Sequence, residues 1–332
     1  PGDLLITTRG TYGVPYIYKN TDCFYFADGN LTWLKNFDSY LLSDYLYYWV
    51  KSYEGQSKIT AIAKGTAQKA VPILSIESLE INLPPLDVQK KITSILRKYD
   101  DLIRNNQKQI KLLEEAAQRL YKEWFVDLRF PGYENTKIVD GVPEGWKACV
   151  LDDVIQFNPK VSLDKKRIKQ CVPMSALSTS SMALDFSEFG GTYSNSGSKF
   201  QNGDTLLARI TPCLENGKIA FVSGIESQEG AVGSTEYIVM RSKCISPYMV
   251  YLLARTEKYR RAAINSMTGS DGRQRVQVDK LKAFSYLLPD PGIIDMFTRV
   301  IKPIFQQIYA KHAQNQMLRK TRDLLISKLM IE

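Results

Sequence analysis

The sequence predicts an α/β (α+β) fold in tandem repeat: two similar domains separated by two long helices that form an antiparallel coiled coil. Three observations lead to this. The chain repeats itself internally, each copy ends in a segment of sustained heptad spacing, and the stretches before those segments alternate short apolar runs with turn clusters.

The first copy opens with Gly2-Asp3-Leu4-Leu5, echoed by Gly203-Asp204-Thr205-Leu206 in the second. Arginine-containing stretches follow, Thr7-Thr8-Arg9-Gly10-Thr11 against Ala208-Arg209-Ile210-Thr211. Aromatic-rich segments come next, around Tyr40–Leu46 and Tyr248–Leu253, then polar turns at 64–69 and 268–275. Beyond these the register is constant: Ile76–Pro84 matches Leu281–Pro289 at an offset of 205. Strands are predicted at Thr205–Ile210, Lys218–Val222 and Glu236–Met240, with a helix near Pro247–Asn265. The cluster Tyr45-Leu46-Tyr47-Tyr48-Trp49 is expected in the core.

The first long helix is predicted from about Asp87 to Val126. Its seam is Ile92, Leu96, Tyr99, Ile103, Ile110, Leu113, Leu120 and Trp124, with Asn106 and Ala117 completing a 4-3-4-3 spacing. The second is predicted from about Ile293 to Met330, with a seam of Phe297, Ile301, Ile304, Ile308, Leu318, Leu325 and Leu329. Lys311, Asn315 and Arg322 are its polar members. Polar residues at such positions commonly fix register and partner choice. About 40 residues at a rise near 1.5 Å span roughly 60 Å, enough to hold two globular units apart. Pro84-Pro85 and Pro289-Asp290-Pro291 mark the helix starts.

Bulk properties narrow the function. The 332 residues exceed the usual single-domain size. The 44 Lys plus Arg against 35 Asp plus Glu give a net charge of +9, which favours polyanions or marks a generic basic protein. Five scattered cysteines without a C-x-x-C argue against a disulfide framework or a zinc site, so no metal is expected and a cytoplasmic location fits. No apolar run approaches the roughly 18 residues that span a membrane.

In their order and duplication, several segments resemble the specificity (S) subunit of type I restriction–modification systems. They are Val142-Pro143-Glu144-Gly145-Trp146 with Leu151-Asp152-Asp153-Val154, Asn202–Arg209, the Leu-Pro-Pro-Leu-Asp-Val-Gln run from Leu83 to Gln89, and Leu324–Leu329. The second copy departs from this pattern at Pro289-Asp290-Pro291, which lacks the glutamine. The resemblance implies the C-terminal part of a first target-recognition domain at 1–84 and a spacer helix at 85–128. A linker at 129–142, a second target-recognition domain at 143–289 and a second spacer helix at 290–332 follow. By comparison with the second half, roughly 60 or more residues are expected to precede the first. The resemblance further implies a non-catalytic DNA-binding subunit. Each recognition domain reads one half of a bipartite site on double-stranded DNA. The partners implied are two modification (methyltransferase) subunits and a restriction–translocation subunit. No cofactor is expected on this chain, with S-adenosylmethionine on the partner.

Catalytic motifs do not oppose this. The single histidine, His312, falls on the second long helix and is expected on a solvated face; G-x-G-x-x-G and the P-loop pattern are absent. The alternative classes are a catalytic DNA enzyme, as a specificity region detached from a fused restriction–methylation polypeptide, and a structural adaptor whose domains never meet DNA. Arginine suits guanine, Asn and Gln suit adenine, and hydroxyls serve either. The stretch Gly269–Arg275 is therefore the first candidate reader, through Ser270, Arg273, Gln274 and Arg275, with Lys280 tracking phosphate. The segment from Arg255 to Lys282 holds eight Lys or Arg against three acids. Further candidates are Arg209, Thr211, Lys218, Ser178, Thr179, Ser234 and Glu236, the last as an acceptor from cytosine. The repeat maps the same roles onto Arg9, Thr11, Tyr12, Lys64, Thr66, Gln68 and Lys69.

Overall fold

The structure, a computed structural model, describes residues 2–23, 29–65, 69–227, 229–270 and 272–330. Along the chain come β1 (Leu4–Thr7), β2 (Pro15–Ile17), β3 (Leu31–Leu34), α1 (Ser43–Lys51), α2 (Tyr53–Ile62), α3 (Ile73–Glu77) and the long α4 (Leu86–Phe125). The strands β4 (Ile138–Val139), β5 (Val142–Pro143) and β6 (Lys147–Val150) follow, then α5 (Leu151–Val154), β7 (Ile155–Phe157) and β8 (Lys169–Val172). Next are β9 (Gly190–Thr192), β10 (Ser198–Phe200), β11 (Thr205–Ala208), β12 (Ile219–Phe221), β13 (Ala231–Gly233) and β14 (Tyr237–Ser242). The chain closes with α6 (Pro247–Ala254), α7 (Glu257–Asn265), α8 (Val278–Lys282), β15 (Ser285–Leu288) and the long α9 (Pro291–Leu329).

Two compact units emerge: residues 1–105 with 314–332, and residues 106–313. Each unit therefore contains one half of α4 and the opposite half of α9, packed antiparallel. Every predicted seam residue on both helices is buried or half-buried. In the second unit Phe297, Ile301 and Ile308 are fully enclosed, as Leu96 is in the first. The polar seam members Asn106 and Asn315 are buried too, and Arg322 donates to Asp100 Oδ1 at 2.6 Å within the first unit.

In the first unit, β1 lies between β2 and β3, all antiparallel, with Leu5 opposite Tyr16 on one side and Trp33 on the other. Leu4 and Ile6 pack with Tyr45, Tyr48, Trp49, Ile59 and Val71, so the aromatic cluster of α1 is core, as expected. A sharp turn joins α1 to α2. Ser52 caps α2 by accepting from the Gly55 amide at 3.1 Å, and a side chain at Gly55 would meet the Trp49 carbonyl oxygen at 2.1 Å. Gln89 is fully buried at the start of α4. It accepts from the Leu42 amide and donates to the Tyr40 and Pro84 carbonyls, tying the helix to the domain. At the same register in α9 stands Ile294, which is buried among apolar side chains and needs no such partners.

The second unit holds two four-stranded sheets, ordered β12-β11-β14-β7 and β10-β13-β8-β9. The first is antiparallel throughout; in the second, β13 and β8 run parallel. Both faces of the first sheet are covered. Leu207, Ile238 and Met240 face the cluster that includes α6, α7 and the long helices, while Leu206, Ala220 and Val239 pack with Val172 and Phe200 of the second sheet. Double coverage explains why β11 reads as an unbroken run rather than an alternation. The single helix predicted near Pro247–Asn265 is two helices. The chain breaks at Arg255, and Thr256 caps α7 by accepting from the Tyr259 amide at 3.3 Å.

Candidate nucleic-acid interface

The same backbone crossing is built twice. Gly2 and Gly203 both adopt positive φ, at 82° and 91°, a conformation that glycine reaches without a Cβ clash. Each begins a turn that is closed by paired amides: Gly2 donates to the Tyr18 carbonyl, and Gly203 to that of Val222, both at 2.8 Å. Past the strand that follows, the Thr8 amide donates to the Asn30 carbonyl and the Arg209 amide to that of Glu236. The Val71 amide reaches the Thr8 carbonyl, and the Val276 amide that of Arg209. Finally, a closed loop is pinned to this point in each unit, by Lys64 and Arg9 bridging to Ala70 and by Thr268 and Ile210 bridging to Arg275. Thr8, Asn30 and Ala70 thus occupy the backbone places of Arg209, Glu236 and Arg275.

Side chains at the second crossing form a charged cluster. Arg275 donates to Glu236 through Nε at 3.0 and 3.1 Å and through Nη2 at 2.7 Å, while Arg209 Nε lies 3.9 Å from the same carboxylate. These hydrogen bonds hold the Glu236 carboxyl below the usual range, against the opposing effect of its partial burial. Ser234 Oγ accepts from the Glu236 amide at 3.1 Å.

The fold sorts the eight cations between Arg255 and Lys282. Arg255 and Arg260 donate to the Gly217 and Glu215 carbonyls, Arg261 pairs with Glu257, Lys282 with Asp279, and Lys258 lies over the Phe284 ring. With Arg275 engaged by Glu236, the exposed Arg273 and Lys280 are the two whose side chains meet no partner among the described residues. Arg273 stands on the loop held by Gly269 and Gly272, both at positive φ, and its amide donates to the Ser270 carbonyl. Gln274 is half-buried and its carbonyl accepts from the Thr211 amide. In the first unit Arg9, Lys64 and Lys69 are likewise exposed and unpaired among the described residues. Thr11 is exposed, with its carbonyl accepting from the Thr7 hydroxyl, and Tyr12 is half-buried against the core. Thr66 and Gln68 lie outside the described residues.

Other candidates make contacts within the second unit. Lys218 Nζ donates to the Met174 carbonyl at 2.9 Å. Ser178 Oγ accepts from the amides of Ser180 and Ser181, and Thr179 is exposed beside it. This hydroxyl-rich turn is fastened to both long helices: Ser181 Oγ donates to Glu114 at 2.9 Å and lies 2.8 Å from His312 Nε2. His312 is therefore half-buried and bonded rather than solvated. Sequence reasoning missed it, because Ser181 and His312 meet only in the folded chain. Among the described residues, no cluster of His, Cys, Asp and Glu suits a metal ion, and no helix is long and apolar enough to cross a membrane.

Burial pushes the Glu114 carboxyl up, opposed by hydrogen bonds from the Met182 amide and Ser181. A raised folded pKa means that the folded chain holds this proton more tightly than the unfolded one. Its contribution is then greatest at acid pH and is lost as pH rises through the folded value. Glu114→Gln is expected to melt above the wild type at neutral pH, with the gap closing as pH falls. A gap that widened toward acid, in thermal unfolding followed across that range, would contradict this.

A family model described as the type I restriction modification DNA specificity domain matches residues 1–115. The type I restriction enzyme MjaIX specificity subunit of Methanocaldococcus jannaschii is 24% identical over 345 residues, covering 99% of this chain and 77% of that protein. The EcoAI specificity subunit of Escherichia coli is 32% identical over 148 residues, an alignment that takes in 41% of this chain and 24% of the relative. The crystal structure of a type I restriction–modification S subunit from M. genitalium has the same fold. It aligns with a TM-score of 0.58 at 14% identity, over 99% of this chain and 83% of that one.

Proposed function

Because this chain belongs to the specificity-subunit family of type I restriction–modification systems, we propose that it is the non-catalytic reader of double-stranded DNA in such a complex. Each unit reads one half of a bipartite site. The paired halves of α4 and α9 set the spacer and dock two modification (methyltransferase) subunits, through which a restriction–translocation subunit joins in the cytoplasm. S-adenosylmethionine belongs to the methyltransferase on this reading, and the chain itself needs no cofactor.

One observation carries the proposal: both units present a closed loop, pinned at the same backbone crossing, with exposed cations that meet no partner among the described residues. Unpaired cations of this kind release counterions from phosphates, and those near base edges discriminate sequence. Titrating labelled duplex with the full chain at several salt concentrations tests it. Arg273→Ala is expected to cost on the order of 1–3 kcal/mol and to relax one base of the site. Lys280→Ala is expected to weaken all duplexes alike and to reduce the salt slope by about one. Unchanged affinity and preference in Arg273→Ala would remove the loop from the interface, and S-adenosylmethionine binding by the chain alone would contradict the non-catalytic role.

A further inference from the structure

We propose that the side chains at the duplicated crossing set which base each unit reads, and that Arg275, held by Glu236, takes a guanine in the second unit. This deepens the DNA-reading role proposed above and rests on it. Four amide–carbonyl bonds of the crossing recur in both units, whereas all three side chains differ: Arg209, Glu236 and Arg275 in the second, Thr8, Asn30 and Ala70 in the first. A constant scaffold with a wholly exchanged triad is the arrangement expected where one fold must read different sequences.

The fork geometry selects the ligand. A guanidinium offers five donors along fixed edges. Glu236 takes one edge, Nε with one hydrogen of Nη2. The other edge, Nη1 with the second hydrogen of Nη2, meets no partner among the described residues, and the side chain is 42% exposed. That edge presents two parallel N–H groups, the complement of O6 and N7 of guanine in the major groove. Holding the first edge fixes the direction of the second, so little rotamer freedom remains to be lost on binding. Arg209, beside the same carboxylate, leaves the cluster with a net positive charge.

The first unit cannot do this. Ala70 carries no donor, the Thr8 hydroxyl already donates to the Gly29 carbonyl at 3.0 Å, and Asn30 brings a neutral amide. These three residues of the first unit therefore place no guanine requirement on its half-site; one there would come from the exposed Arg9.

Selection of bound sequences from a randomised duplex pool, with the full chain as wild type, Arg275→Lys and Glu236→Gln, tests this. Lysine keeps the charge and one bond to Glu236 but loses the fork, and thermal unfolding verifies that each variant is folded. The wild type is expected to enrich one invariant guanine that both variants relax by about tenfold or more, with the salt slope of Arg275→Lys unchanged. If Arg275→Lys instead weakened every duplex equally with a shallower slope, Arg275 would be a phosphate contact and the proposal overturned. An enriched site identical in all three proteins would also overturn it while leaving the DNA-reading role intact. A wild type that bound no duplex would remove both.

Discussion

Phe297→Ala is expected to lower the stability of the second unit by about 3–5 kcal/mol, the range for deleting an enclosed aromatic side chain. Phe297 is fully buried at the seam of the α4 and α9 halves. Its ring centroid lies 4.8 Å from that of Phe125, 5.4 Å from Trp124 and 6.1 Å from Tyr121, each edge-on. Aromatic edge contacts add to the burial of area, and three rings held on one helix have little room to collapse into the space left. Phe297→Leu, which retains most of the volume, is expected to lose less than half as much. Urea unfolding of both variants measures the difference; a loss below about 1 kcal/mol for the alanine would show that the seam does not hold the unit together.

Asp204→Ala is expected to cost about 3–4 kcal/mol, because it strands Arg241 on β14 without its carboxylate. The Asp204 side chain is 1% exposed and accepts from Arg241 at 2.7 and 2.6 Å, and its Oδ2 also accepts from the Gln201 amide at 2.8 Å. The equivalent residue in the first unit, Asp3, is half-exposed and accepts a neutral donor, Nε1 of Trp33, at 2.9 Å. Removing Asp3 is expected to cost about 1 kcal/mol. Comparable losses at the two positions, measured by the same unfolding experiments, would contradict the assignment of the larger loss to a buried charge pair.

Much of the fold was legible because it is periodic. Heptad spacing leaves a mark at every third or fourth residue of α4 and α9, and each seam residue read from that spacing is buried or half-buried. The Gly-Asp turns were visible as a repeat, and their shared positive φ supplies the reason. The sheet of β8, β9, β10 and β13 was not legible. Its strands have three or four residues, contain Gly and Ser, and pair across long separations, so no local alternation announces them. Phe305, Ile326 and Met330 are buried away from the predicted seam, because each half of α9 also packs on its own domain.

The candidate site was legible in position and much less so in detail. Counting charges located the Arg255–Lys282 segment but treated its eight cations alike. Which are engaged depends on carbonyls and carboxylates brought near by folding, such as Glu236, which is 39 residues from Arg275. A signal for the crossing was nonetheless present. Carried back from Ile76, the 205-residue offset places Ala70 against Arg275, a position where the two halves differ in chemistry.

Duplication of the reader is tested most directly by comparing the bipartite pattern enriched by the full chain with those enriched after Arg9→Ala and after Arg273→Ala. Two short sequence blocks at a constant separation are expected, with Arg9→Ala relaxing one block and Arg273→Ala the other. One uninterrupted block, or both substitutions relaxing the same block, would contradict two like units each facing its own half of the site.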